Sequence, residues 1–347
     1  MLKSNLKMNI LILGLGSIGQ RHLRNLSTLN RKFNFFAIRK KFTTPSLNNQ
    51  NLVTNQDIKK RYNLKYFTSL NQIKKSKIKI DAAFICTPSK YHINEAIWLI
   101  KNNINVFVEK PLGSSLKNIN KLQKLILKKK KILHMMGYQL KFNPIISKIK
   151  SCLDKKLIGK VYNIFIHNGE HIKDFHPYED YRISYAARKS LGGGVILSQI
   201  HELDYILYLF HNYKFTVLNS ISTKITDLDI DVEDTLVANL SLKKKKQLAL
   251  CSIHLNFFER PKNRKILIIG KKGKIYADFN NKIMKIFNKN KKKIYKFKFQ
   301  RNEIFKKQIK YFIDQINKSK KIESRFDLLN GIKSLKIAMK LKKVKVS

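Results

Sequence analysis

The sequence predicts an α/β protein in two parts: a doubly wound parallel sheet, then an α+β domain built on an open, largely antiparallel sheet. Three observations carry that prediction. From about residue 8 to residue 136, short apolar runs alternate with stretches of helical periodicity. The run at 80–86 is almost continuously apolar, as expected of a strand covered on both faces. After Gly137 the alternation gives way to six strand-like runs joined by short connections, several of them lysine-rich. The division falls between 1–138 and 139–347.

Taken in order, residues 10–13 form the first strand, which enters Gly14-Leu15-Gly16-Ser17-Ile18-Gly19 and then a helix over 18–29. Residues 33–38 are the second strand. The polar segment 43–56 predicts a loop with one turn of helix. Residues 66–67 are a short third strand, and Ser69 is placed to cap the helix after it. The strand at 80–86 precedes a helix over 91–100, with Ile93, Ala96, Ile97 and Ile100 on one stripe. A strand at 106–108, a helix at 116–127 and a strand at 132–136 complete the series. In the second part, strands are expected at 161–167, 216–226, 235–242, 247–254, 265–270 and 274–279. A loop over 170–194 and a helix over 195–210 separate the first two. Helices at 303–316 and 327–341 close the chain.

Composition removes several classes of protein. With 43% hydrophobic residues in 347, the chain can bury a core, which excludes general disorder. No apolar stretch approaches the roughly 20 residues of a membrane span. The first apolar run leads into glycines and not a cleavage site, so no secretory signal is expected. Cys86, Cys152 and Cys251 lie far apart, which suits neither a disulfide framework nor a zinc cluster and points to the cytoplasm. The formal charge of +50 invites a nucleic-acid role. Against it, the 72 cations divide into 61 Lys and only 11 Arg, and arginine is the residue that forks onto phosphates and guanine. The lysine runs at 128–131, 243–246 and 291–293 sit in separate regions beside expected helix ends or turns. Together with abundant Asn and Ile they read as the bias of AT-rich codons. No specific nucleic-acid partner is therefore expected, although an anionic substrate would benefit from the field.

The glycine loop carries the first chemistry. Its first glycine permits a tight turn, its second lets backbone approach a pyrophosphate, and its third allows close helix–strand packing. Gly14, Gly16, Ser17, Ile18 and Gly19 are thus candidate dinucleotide contacts; a purely structural turn is the alternative. An acid that would bind the ribose hydroxyls is missing at the end of the second strand, where the chain reads Ile38-Arg39-Lys40-Lys41. Arg39 and Lys40 suit a 2′-phosphate and favour NADP(H) over NAD(H).

Three further motifs complete a pattern: Ile85-Cys86-Thr87-Pro88 with His92, Glu109-Lys110-Pro111, and Gly192-Gly193-Gly194 ahead of His201 and Asp204. With the glycine loop, they resemble the glucose–fructose oxidoreductase / inositol dehydrogenase / MocA family over nearly the whole chain. The resemblance implies a Rossmann domain followed by an open-sheet domain. It also implies hydride exchange between nicotinamide and a carbinol carbon of a sugar, cyclitol or sugar nucleotide, and assembly as a homodimer or homotetramer. By position, Thr87, Pro88 and His92 line the cofactor, and Glu109 and Lys110 sit by the nicotinamide and the reacting hydroxyl. Lys141 stands where the family usually has Arg before Phe. Tyr181 and Arg182 lie in the loop before the glycines and are candidate substrate contacts, as is His201.

One departure concerns the base. The family usually has Asp four residues before the histidine; here that position is Leu197, and Ser198 is the nearest counterpart. Ser198 and His201, three apart in the expected helix, would share a face. In this reading Lys110 polarises the oxygen, His201 transfers the proton and Ser198 orients the site. The shortened spacing and the loop 176–182 resemble members near surface-polysaccharide or nonulosonic-acid biosynthesis. His167, His171 and His176, with Glu170 and Asp174, offer zinc-type donors, but a strand-then-loop segment reads as a substrate-side loop, and no metal is expected. The sequence thus describes a cytoplasmic NAD(P)-dependent oxidoreductase with a sugar or sugar-nucleotide substrate. The alternatives are a non-catalytic NADP-binding sensor and, on charge alone, a nucleic-acid-binding protein.

Overall fold

The computed structural model describes residues 7–39, 45–48, 50–289 and 291–342. The chain divides into two compact units, residues 1–137 with 301–332, and residues 138–300 with 333–347.

The first unit follows the alternation in order: β1 (Met8–Leu13), α1 (Ser17–Ser27), β2 (Phe33–Ile38), β3 (Ser46–Leu47), β4 (Val53–Thr54), α2 (Ile58–Tyr62), β5 (Lys65–Phe67), α3 (Leu70–Lys75), β6 (Ala82–Ile85), α4 (Ser89–Lys101), β7 (Asn105–Glu109), α5 (Ile119–Lys128) and β8 (His134–Gly137). Six strands form one parallel sheet in the order β5-β2-β1-β6-β7-β8. Ile10 of β1 pairs with Phe35 on one side and Ala82 on the other, so the strand order reverses there. In such sheets the crevice outside the carboxyl ends at the reversal is where ligands bind. Local chemistry agrees with the element ends: the Ser69 side chain accepts the Gln72 amide at the start of α3. Over 43–56 the sequence suggests a turn of helix, whereas the described part of that segment holds the β3–β4 hairpin. Gln20 of α1 straps it down, accepting the Leu47 amide and donating to Pro45 O.

The second unit contains α6 (Pro144–Asp154), β9 (Val161–Gly169), α7 (Val195–Ser198), α8 (His201–Leu209), β10 (Lys214–Thr223), β11 (Thr235–Lys244), β12 (Gln247–Asn256), β13 (Asn263–Gly270), β14 (Gly273–Asp278), β15 (Ile283–Asn288) and β16 (Lys291–Lys296). Its eight strands run β10-β11-β12-β9-β13-β14-β15-β16, antiparallel throughout except where β12 meets β9. Strand alternation sorts the side chains into two faces. Ile164, Ile166, Leu240, Cys251, Ile253 and Ile266 are buried, with α7 against β11 and β12. On the opposite face Phe165, Val237 and Leu250 are 42–48% exposed.

Two boundaries differ from the sequence reading. The helix expected over 195–210 is broken: Gln199 ends α7 at φ −101°, ψ 26°, and its side chain donates to Asn256 O at 2.8 Å. The other concerns α9 (Arg301–Asn317) and α10 (Leu328–Leu341). A division at 138/139 assigns both helices to the second part, but residues 301–332 belong to the first unit. The cause is aromatic packing: the fully buried Phe312 meets Phe84 of β6 edge-on at 5.8 Å and Phe107 of β7 at 5.6 Å. No helix among the described residues is long and apolar enough to cross a membrane.

Candidate functional site

At the strand-order reversal the three glycines have different physical roles. Gly14, at φ +90°, packs so closely that a Cβ would stand 2.8 Å from Cys86 O. A Cβ on Gly19 would lie 2.0 Å from Gly14 O. Both are therefore packing glycines, locking the first turn of α1 to β6. Gly16 has nothing within 4 Å of its Cβ position, and its φ of −69° suits any residue. It keeps clear the space in front of the α1 N-terminus, where backbone N–H groups and the helix dipole attract anions. Ser17 and Ile18, both half-buried, open the helix. The Ser17 hydroxyl donates to Asn51 Oδ1 at 3.0 Å, as does Arg21 at 3.1 Å, which sets the hairpin turn beside the phosphate end. An open cradle at a helix N-terminus whose first turn carries no acid fits the pyrophosphate of a dinucleotide.

Arg39 follows β2 directly, half-buried, its amide donating to Phe67 O at 3.1 Å. Lys40, its expected companion, lies outside the described residues. Thr87 and Pro88 follow β6 and are half-buried. Thr87 is held twice by α4: its hydroxyl donates to Glu95 at 2.5 Å, and its carbonyl lies 2.6 Å from His92 Nε2. The other ring nitrogen of His92 is 2.7 Å from Pro111 O. Burial pushes the His92 imidazole below its ordinary range, opposed by these two carbonyls. His92 thus cross-braces the ends of β6 and β7; its ring nitrogens face backbone and not an open cleft. Glu109 behaves alike. It is buried, with Oε1 2.6 Å from His22 Nε2 of α1, and it also accepts the Lys110 amide at 3.1 Å. His92 ties together the chain segments that follow β6 and β7, and Glu109 ties the end of β7 to α1. Lys110 itself stands half-buried just past β7.

The second unit gathers a different group. Tyr138 follows β8, and Lys141 lies in the short 3₁₀ turn Gln139–Phe142. Lys141 Nζ is 2.8 Å from Asp204 Oδ1 with neither side chain exposed at all. The same ammonium lies 5.2 Å above the Tyr138 ring, and that ring meets the His201 imidazole edge-on at 5.9 Å. Burial, followed by the Asp204 carboxylate, pushes the Tyr138 phenol well up. Glu202, also buried, pairs with Arg264 of β13 at 2.9 Å. His201 therefore begins a helix whose first turn carries two buried carboxylates, each ion-paired to another element. Ser198 and His201 are both buried, but they fall in separate helices, so the helical-face argument linking them does not apply. The triple glycine leads in tightly: Gly194, at φ +104°, leaves no room for a Cβ beside the Glu233 carboxylate. Lys342 reaches both that carboxylate and Gly193 O.

Sequence reasoning named Lys141 as a substrate contact. The structure gives its charge to Asp204, 63 positions on, a pairing with no local sequence signal. Tyr181 and Arg182 lie in an outer loop, where Arg182 pairs with Asp180 and the Tyr181 hydroxyl accepts the Asp229 amide. The zinc-type donors disperse: His167 binds Glu259, His176 binds Glu179, and Asp174 takes Arg260 in a bidentate pair. No metal-holding group exists among the described residues.

Comparison with known proteins places this geometry. Residues 8–138 match the profile of an oxidoreductase family with an NAD-binding Rossmann fold, GFO/IDH/MocA, and residues 146–276 match its C-terminal domain. An uncharacterized oxidoreductase of Streptococcus pneumoniae is 23% identical over 221 residues, 62% of this chain and 57% of that protein. The chain spans a third and just over half of the lengths of the curated relatives it matches. Levoglucosan dehydrogenase, solved with NADH and levoglucosan, superposes with a TM-score of 0.79 at 14% identity, covering 97% of both chains. UDP-N-acetylglucosamine 3-dehydrogenase from Acidithiobacillus ferrooxidans gives 0.74 at 15% identity, again over 97% of each. These likenesses give the fold over nearly the whole chain.

Proposed function

The chain belongs to the GFO/IDH/MocA family of oxidoreductases, and we propose that it is an NAD(P)-dependent dehydrogenase acting on a carbinol carbon of a sugar or sugar nucleotide. One observation carries the proposal: at a strand-order reversal, the loops after β1, β6 and β7 bring an open phosphate cradle at Gly16 and a lysine at the end of β7 to one edge of one sheet. A cofactor bound there supplies the hydride acceptor. Lys110 polarises the substrate oxygen, and His201 takes the hydroxyl proton as the carbon loses hydride, leaving a carbonyl. Histidine suits that task because its ordinary pKa lies near neutrality. Ser198 orients the site without bringing charge, and Tyr181 and Arg182 serve as outer substrate contacts. Arg39 and Lys40 favour NADP(H), whereas levoglucosan dehydrogenase was solved with NADH. The half-exposed apolar sheet face supports a homodimer or homotetramer, and the three unpaired, buried cysteines suit the cytoplasm. The substrate class proposed is a sugar nucleotide for surface glycans.

A second reading, a non-catalytic NADP-binding sensor, is favoured by Ser198 alone, since a hydroxyl replaces the usual carboxylate. Turnover separates the two. The protein is mixed with NADP⁺ or NAD⁺ and a panel of sugars and sugar nucleotides, and formation of the reduced cofactor is followed by absorbance. The dehydrogenase reading expects reduction with at least one of them. It also expects His201→Ala to lower the rate by about 10²–10⁴ while cofactor affinity holds. No reduction with any member of the panel, beside tight cofactor binding, favours the sensor.

A further inference from the structure

We propose that the buried Lys141–Asp204 ion pair is a positioning device that fixes the ring and the protonation of His201; it rests on the reading of His201 as the base. A chain of contacts runs from Asp204 to His201, and helix spacing relates its two ends. Asp204 lies three residues after His201 on α8, hence on the same side of the helix. Lys141 holds Asp204 at 2.8 Å and caps the Tyr138 ring at 5.2 Å, and Tyr138 returns to His201 at 5.9 Å. Each member is buried. On the flank, Arg264 of β13 fixes the neighbouring Glu202 at 2.9 Å. The charged and titratable groups about this first turn include Asp204, Glu202 and Tyr205 on α8, Lys141 and Tyr138 from the segment after β8, Arg264 from β13 and Cys251 from β12.

Energetics separates positioning from stability. Removing two charges from water costs about as much as their attraction returns, and apolar residues of like volume often hold a core equally well. A pair with no solvent exposure on either side is thus a weak source of stability. What it does supply is a fixed geometry and two opposed fields beside one imidazole. Loss of either partner leaves the opposite field standing alone. Asp204→Asn removes the negative member and lowers the His201 pKa. Lys141→Met removes the positive member and raises it. Each shift should be about one pH unit or more.

The test is NMR titration of the full-length protein carrying ring-labelled histidine, with the His201 signal assigned by its loss in His201→Asn. It needs no substrate, so it stands apart from whether any sugar is turned over. The expected result is shifts of opposite sign in the two single variants. Shifts of the same sign, or none, in folded protein overturn the proposal. Should the single variants fail to fold, Lys141→Met/Asp204→Leu removes both charges together. It should melt near the native temperature while the His201 signal broadens or splits as the ring loses its single setting. A native lineshape and titration there would likewise overturn the proposal. With a substrate in hand, the same double variant should lose at least about tenfold in kcat with cofactor affinity unchanged.

Discussion

Gly16→Ala should separate binding from folding in one residue. The backbone there, φ −69° and ψ −173°, is open to any amino acid, and no atom lies within 4 Å of the new methyl. Replacing glycine where the geometry is compatible restricts the unfolded chain and stabilises by about 0.4–1 kcal/mol. The melting midpoint should hold or rise by about 1–4 °C. If, as proposed, a pyrophosphate sits at the α1 N-terminus, the methyl occupies the space it needs. Backing the phosphate away loses at least one charge-assisted bond, about 1.5–3 kcal/mol, or roughly ten- to a hundredfold in affinity. Gly19→Ala is the contrast: its Cβ would stand 2.0 Å from Gly14 O, a backbone atom that cannot yield, so stability and affinity should fall together. Fluorescence titration with NADPH and thermal unfolding measure the two quantities. Native affinity in Gly16→Ala, or a midpoint lowered by several degrees, would refute the assignment of that space to phosphate.

Other outcomes follow from single sites. The native protein should bind NADPH tighter than NADH, and Arg39→Asp should cut NADPH affinity roughly ten- to a hundredfold by removing a charge-assisted bond; tighter native binding of NADH sinks this. Phe312→Ala should cost about 3–5 kcal/mol in urea unfolding, because its ring is buried between Phe84 and Phe107. A cost under about 1 kcal/mol would deny residues 301–332 their place in the first unit. Burial holds His134 down at about 4, and its Nδ1 accepts the Leu328 amide. The unfolded chain thus binds the proton more readily, so this group withdraws stability as pH falls from about 6.5 towards 4, by at most about 3 kcal/mol. His134→Gln should flatten that stretch of the stability–pH curve, and an unchanged slope would show that other groups set it.

The parts legible in sequence are those with local physics. Residues 10–13 and 82–85 read as strands because both sheet faces are covered and every position is apolar. The glycine loop was readable because each glycine answers to a turn, an approach or a packing contact within a few residues. Other features have no such local signature. β16 escaped because the Lys291–Lys296 edge strand shows lysine where alternation would show apolar residues, a common protection for an edge. The break between α7 and α8 is silent, since apolar residues continue straight through it and the cause is a bond from Gln199 to a strand 57 positions away. The apolar stripe of α9 announces a buried face but not which sheet it covers. His92 and Glu109 stand out as motif residues, but the bonds they make to Pro111 O and to the His22 ring cross to other elements and carry no local signal.

The charge completes the account of the site. With 72 cations against 22 acids, a lysine carries little positional information, while a carboxylate in such a chain is informative. Among the described residues, the buried acids take defined tasks. Glu109 meets His22, Glu202 meets Arg264, and Asp204 meets Lys141. Asp234 gathers the amides of Ile225 and Thr226. Burying any of these without a partner would be costly, so each marks a place where the fold requires a negative charge. Two of them fall in the first turn of α8, directly after His201. A general lack of acids therefore does not explain Ser198. The same short stretch that has a hydroxyl at 198 has carboxylates at 202 and 204, each tied to a cation from another element. If His201 is the proton acceptor proposed above, the nearest carboxylates in the sequence follow it, at 202 and 204, and Asp204→Asn is the variant that tests whether they matter to it.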